Sequence, residues 1–179
     1  MVSQLKVNEI IKQSGSSITI GADGDTLTGP FSSKPIVLGY QSSDQSLTKG
    51  TNNKIVNWTT TLDTDSAFSS NKFTVPSGKA GNYYISYQLS FDGDSSGNTG
   101  YDLNAPIIYK NGNEIIRHNN VREPQIVYGS FAITCVLALV AADYIEFYFH
   151  PDRGGGTAGD TQGESTRTWL CLIISLPFL

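Results

Sequence analysis

Charge is scarce in this chain: Asp, Glu, Lys and Arg make up 16% of its 179 residues, leaving a net charge of −4. Arg117, Arg122, Arg153 and Arg167 are scattered, so no basic stripe offers nucleic acid an electrostatic footprint. Long hydrophobic runs are missing too. The most apolar segment, Phe131 to Ala142, is too short to cross a bilayer as a helix. The N-terminus, Met-Val-Ser-Gln-Leu-Lys-Val-Asn-Glu, lacks the basic start and apolar run of a secretory signal. Cysteines number two, Cys135 and Cys171, each in an apolar strand pattern. Two buried thiols acting as small hydrophobes is the favoured reading. A disulfide between them stays open but is not favoured without an export signal, and no third ligand lies at metal spacing.

Catalytic constellations are equally thin, and neither a cofactor nor an enzyme is expected. The two histidines, His118 and His150, have no Ser, Cys or carboxylate placed beside them as a nucleophile site requires. His150, ahead of Pro151-Asp152-Arg153, reads as a surface histidine at the edge of a loop. Gly154-Gly155-Gly156 has no Lys-Ser/Thr and no following helix, so it is no phosphate loop. Asp92-Gly-Asp94-Ser-Ser96-Gly97 opens like a calcium loop, but Leu103 stands where the bidentate Glu belongs. Asp102 beside it leaves a looser oxygen site open. A solvated acidic turn is the default there, as it is for Asp23 and Asp25.

What is abundant is apolar, aromatic and Gly-rich. Hydrophobic residues are 39% of the chain, with 18 Gly, 9 Tyr and 8 Phe, a balance that suits an all-β protein with many turns. Lys72 to Asp92 is its clearest stretch. A short apolar strand (Phe73, Val75) stops at Pro76, and a Gly-bearing turn follows. Then Tyr83, Ile85, Tyr87, Leu89 and Phe91 alternate with Tyr84, Ser86, Gln88 and Ser90. Period two over that length marks a strand lying on a core. Tyr84, an aromatic on the otherwise polar side, suggests that this second face is also covered.

Further strands are expected at Ile36 to Tyr40, Lys54 to Thr61, Ala105 to Lys110, Glu114 to His118, Ile126 to Leu139, Tyr144 to His150 and Trp169 to Leu176. Asn111-Gly112 is the strongest hairpin signal. Many strands, frequent turns and no convincing helix after residue 34 indicate a sandwich or barrel. The last strand is apolar on both faces, with Trp169, Cys171 and Ile173 opposite Leu170, Leu172, Ile174 and Leu176. Phe131 to Leu139 is nearly so. A two-sheet sandwich buries one face of each sheet, so such strands need a second cover.

Phe73-Thr-Val-Pro, a turn, then Gly81-x-Tyr83-x-Ile85-x-Tyr87 resembles the central motif of the complement globular-head and tumour-necrosis-factor jelly rolls. Asp63 and Phe68 upstream, Tyr109-Lys110-Asn111-Gly112 and the Trp169 to Leu176 strand match further parts of that pattern. The family prefers Phe where Ile85 stands, and its turn is shorter than the one from Phe73 to Gly81. The resemblance covers roughly 35–179. It implies a jelly-roll head whose second cover is two more copies around a threefold axis, a homotrimer. Tyr84 and Trp169 are the interface aromatics it nominates; the alternative, that one of them is plain core, stays open.

Residues 1–34 read as a separate attachment segment and linker, and residues 35–179 as the head. Leu5, Val7 and Ile11, then Ile18 and Ile20, fit two short strands; a helix from Ser3 to Gln13 fits as well. So few residues cannot bury a core alone. The run Leu5-Lys-Val-Asn-Glu-Ile-Ile … Ser17-Ile-Thr-Ile-Gly-Ala-Asp-Gly-Asp-Thr-Leu27 resembles N-terminal segments of structural proteins from tailed phages of marine bacteria and cyanobacteria. That resemblance implies a virion protein docked through residues 1–34 onto another virion protein, as a tail-fibre or receptor-binding head. Capsid decoration at threefold positions is the rival placement; a short chain starting at its own Met suits decoration or a small accessory fibre better than the tip of a long fibre. A free-standing binding module or lectin of the tumour-necrosis-factor type is a third reading. Recognition of a host glycan or protein would fall to the outer loops, with Asp92, Asp94, Asn98, Tyr101, Asp152, Arg153 and Asp160, because scaffolded loops carry function.

Overall fold

In the computed structural model, the described residues are 35–92, 102–122, 128–152 and 159–174, all within the unit Lys34–Leu179. They form β1 (Ile36–Gln41), β2 (Gln45–Ser46), β3 (Asn53–Lys54), β4 (Trp58–Asp63), β5 (Phe68–Ser69), β6 (Lys72–Thr74) and β7 (Gly81–Asp92). Then come β8 (Asp102–Lys110), β9 (Asn113–Arg117), β10 (Asn120–Arg122), β11 (Tyr128–Leu139), β12 (Tyr144–Asp152), β13 (Asp160–Thr161) and β14 (Trp169–Ile174). No helix occurs among the described residues.

Two antiparallel sheets share these strands. The first runs β2-β13-β7-β14-β1-β4, with β11 on the other side of β7; the second runs β10-β8-β12-β6-β5, with β3 on β12 and β9 on β8. The expected alternation of β7 is realised: Tyr83, Ile85, Tyr87, Leu89 and Phe91 are buried between the sheets. They meet Phe147 and Phe149 of β12, with Tyr87–Phe147 centroids 5.1 Å apart and Phe91–Phe149 5.3 Å. Each large apolar side chain so buried contributes about 2 kcal/mol. Tilted rings at these separations also add the favourable edge-to-face term.

The Asn111-Gly112 hairpin forms as its sequence demands. Both residues have positive φ, 53° and 77°, the backbone of a type I′ turn. One expectation needs correcting. The strand placed at Lys54 to Thr61 is two strands, β3 ending at Lys54 and β4 starting at Trp58, with Asn57 between them at φ 63°. Trp58 then turns inward, donates its indole N–H to the Ile55 carbonyl at 3.0 Å and packs on Tyr87 and Phe147.

Both cysteine thiols are half-buried rather than buried. Cys135 lies opposite Ile85, on the core side, while Cys171 lies opposite Ser86, on the outer side. They occupy opposite faces of one sheet on strands separated by β7, so no disulfide can join them within one chain. Residues 1–34, with the strand-or-helix question over Ser3 to Gln13, lie outside the described residues.

A candidate assembly face

The outer face of the first sheet is built by register. Three rows cross β11, β7, β14 and β1 in turn: Val136–Tyr84–Ile173–Ile36, Thr134–Ser86–Cys171–Leu38 and Ala132–Gln88–Trp169–Tyr40. None of these twelve positions is charged. Val136 is 59% exposed, Tyr84 41% and Ile173 36%, and Leu62 of the neighbouring β4 is exposed beside them. Its polar members are largely engaged within the face or at its border. The Ser86 and Thr134 hydroxyls lie 3.1 Å apart, and Gln88 Nε2 donates to the Arg167 carbonyl at 3.3 Å. A continuous uncharged surface of this kind on a water-facing sheet is what an interface looks like.

Tyr84 and Trp169 both stand on this outer face, Tyr84 exposed and Trp169 half-buried; neither is core. Leu38, Gly39, Tyr40, Thr61, Ser165, Trp169, Leu170 and Cys171 line an open hollow of about 320 Å³. Gly39 is required there, since a Cβ at this position would lie 2.8 Å from the Thr59 carbonyl oxygen. Burial raises the Cys171 thiol pKa, and that of Cys135 to about 11, so both are protonated and poorly nucleophilic at neutral pH.

The nominated loop residues scatter between described and undescribed positions. Asp94, Asn98, Tyr101 and Arg153 lie outside the described residues. Asp92 and Asp160 are register partners at the ends of β7 and β13. Asp152 closes β12 opposite Leu103, next to Asp102 at the start of β8. The topology therefore brings these strand ends to one end of the sandwich. The calcium-loop span 92–103 falls mainly outside the described residues. Among the described residues no group of three His, Cys, Asp or Glu is placed to hold a metal.

A second polar cluster, not anticipated from sequence, covers the outer side of the second sheet. Asn52 Nδ2 donates to the Tyr109 hydroxyl at 2.7 Å and to Glu114 Oε2 at 3.2 Å. Its Oδ1 accepts from Arg117 at 2.9 Å and lies 2.7 Å from His150 Nδ1. Tyr109 stacks on Tyr148 at 4.1 Å. His150 is thus a half-buried strand residue rather than a loop-edge histidine. Only Asn52 reaches in from a loop, and no spacing in the sequence signals that meeting. The Arg117 hydrogen bond holds the Glu114 carboxyl below its ordinary range, so it is a weak base. Burial raises the Tyr148 phenol. The cluster is chemically quiet: its carboxylate, guanidinium and amide are committed to one another.

The chain matches no protein-family model and no curated protein sequence. Solved structures do match. Murine APRIL at pH 5.0 superposes with a TM-score of 0.56 at 15% identity, over 80% of this chain and 100% of that one. The globular domain of zebrafish complement 1qA gives 0.54 at 12%, over 80% and 98%. The Eiger TNF from S. frugiperda gives 0.59 at 8%, over 82% and 95%. At such identities the likeness establishes the fold: an all-β jelly roll of the tumour-necrosis-factor and complement-head type.

Proposed function

We propose that this chain is a non-enzymatic, homotrimeric binding head on an N-terminal anchor, carried by a tailed-phage virion as a tail-fibre or receptor-binding component. The observation that carries the trimer is the uncharged outer face of the first sheet, with Val136, Tyr84 and Ile173 exposed. Leaving that face in water would forfeit the burial that two further copies supply. The recognition role rests on the strand ends at Asp92, Asp152 and Asp160, which the strand register brings to one end of the sandwich, since loops on such a scaffold carry function. The virion placement rests on the resemblance of residues 1–34 to phage structural proteins. Two readings compete with it. Capsid decoration uses the same trimer at a threefold position. A free-standing module is favoured by the fold, which the chain shares with a TNF and a complement globular domain.

Sedimentation of the full chain tests the assembly: about 58 kDa, three copies of 19.4 kDa, is expected, and a stable monomer overturns it. Gold-labelled antibody on purified particles tests the placement. Label on tails supports the fibre, label on capsids the decoration reading, and unlabelled particles leave the free-standing module.

A further inference from the structure

The connection between β2 and β3 crosses from the first sheet to the second at the end of the sandwich where Asp92, Asp152 and Asp160 lie. Leu47 to Asn52 make that crossing as a strap. Leu47 is buried in the core, and its amide donates to the Gly159 carbonyl at 3.1 Å. Midway, the Gly50 amide donates to the Pro151 carbonyl at 2.8 Å. Asn53 folds the strap on itself: its Oδ1 accepts from the Thr48 amide at 2.8 Å, and its Nδ2 donates to the Thr48 and Thr51 carbonyls at 2.8 and 2.9 Å. The strap thus has a shape of its own, and Asn52 ties that shape to the second sheet.

The Asn52 side chain meets Tyr109 of β8, Glu114 and Arg117 of β9 and His150 of β12. Those partners dictate how its amide faces. An ionised carboxylate only accepts and a guanidinium only donates, so Nδ2 faces Glu114 and Oδ1 faces Arg117. His150 must then present Nδ1–H to Oδ1. An aspartate at this position would set a second carboxylate against Glu114, and an alanine would make none of these bonds. We infer that Asn52 is a latch, a positioning residue that fastens the strap across this end of the sandwich. The cluster around it, chemically quiet, is the catch. On the recognition reading above, on which only this step rests, the latch holds Thr48, Lys49 and Thr51 as a fixed part of the receptor-facing end. Thr48 and Thr51 are exposed there, and the strap's backbone bonds to Gly159 and Pro151 set them beside Asp160 and Asp152.

Amide hydrogen exchange on the full chain tests the latch, because local opening is read separately from global unfolding. In Asn52→Ala the Leu47 and Gly50 amides should exchange roughly tenfold faster or more, as the loss of one or two net hydrogen bonds dictates. The amides of β7 and β11 should keep their native rates. Trypsin should cut the variant between Lys49 and Gly50 and leave that bond whole in the native chain. Asn52→Asp keeps the acceptor for Arg117 and His150 and should show the same pattern more weakly, which preserves the test if the alanine chain does not fold. Native exchange across 47–53 in Asn52→Ala, with Lys49–Gly50 uncut, would overturn the latch. So would faster exchange throughout the chain or a changed sedimenting mass, since Asn52 would then support the whole fold. None of the latch residues lies on the outer face of the first sheet, so these results stand whether or not the trimer and the recognition role do.

Discussion

Asp143 shows how much of this head is held by single polar residues at its turns. It lies after the Ala141-Ala142 turn, with its side chain 9% exposed. Its Oδ1 accepts from Asn111 at 2.7 Å and its Oδ2 from the Val140 amide at 2.9 Å. Lys110 Nζ sits 2.8 Å from Oδ2. One carboxylate thereby ties the β11–β12 connection to the β8–β9 hairpin. These partners, led by the Lys110 bond, lower its pKa from 3.8 to about 2. A depressed carboxylate pKa stabilises the fold above the ordinary value, and that stability drains as pH falls from about 4 towards 2. Asp143→Asn should therefore cost about 1–2 kcal/mol at pH 7. In urea titrations the gap to the native chain should close as the pH drops to 2.5; a gap of constant size would refute this account. Gly163 makes a different demand at the same scale. A Cβ there would sit 2.3 Å from the Ser43 carbonyl, so the β13–β14 connection passes the β1–β2 turn only because this residue has no side chain.

Among the elements, β14 carries the sharpest contrast between neighbours. Leu172 is 1% exposed and packs in the core, while Ile173, next along the strand, is 36% exposed on the outer face. Leu172→Asp would bury an unpaired carboxylate, a cost of several kcal/mol, and should yield a chain with no cooperative thermal transition. Ile173→Asp should keep the monomer's transition yet reduce the sedimenting mass from about 58 kDa to the 19.4 kDa of one copy. If both variants unfold, or both stay trimeric, the assignment of the two faces is wrong. This parity was legible in the sequence, because β7, β11 and β14 are long enough for alternation to declare itself. The two-residue strands β2, β3, β5 and β13 were not, since a period of two has no meaning over two residues. They exist because the longer strands leave backbone groups to pair. Nor did the sequence reveal the break at Asn57, whose left-handed backbone directly precedes a Trp58 packed on Tyr87 and Phe147. Of the candidate site, Tyr84 and Trp169 were legible from strand parity. The hollow was not, because it depends on Gly39 letting β1 approach Thr59.

At the scale of the whole molecule the question is which part of the chain makes the assembly. The uncharged outer face belongs to the head, so the head's own contacts should suffice to hold three copies together. None of the residues that build that face lies in 1–34. Deleting residues 1–34 should leave a particle of three heads by sedimentation. Because a trimer is favoured by mass action and its unfolded chains are not, the melting temperature of this truncated form should rise with protein concentration. A truncated chain that sediments as one copy, with a melting temperature independent of concentration, would move the assembly function into residues 1–34. The outer face would then lie open for a different partner. Retention of the trimer would separate the two duties of the chain cleanly. The head would set the symmetry and present the Asp92–Asp152–Asp160 end, and residues 1–34 would be left free to determine where that symmetric head is mounted.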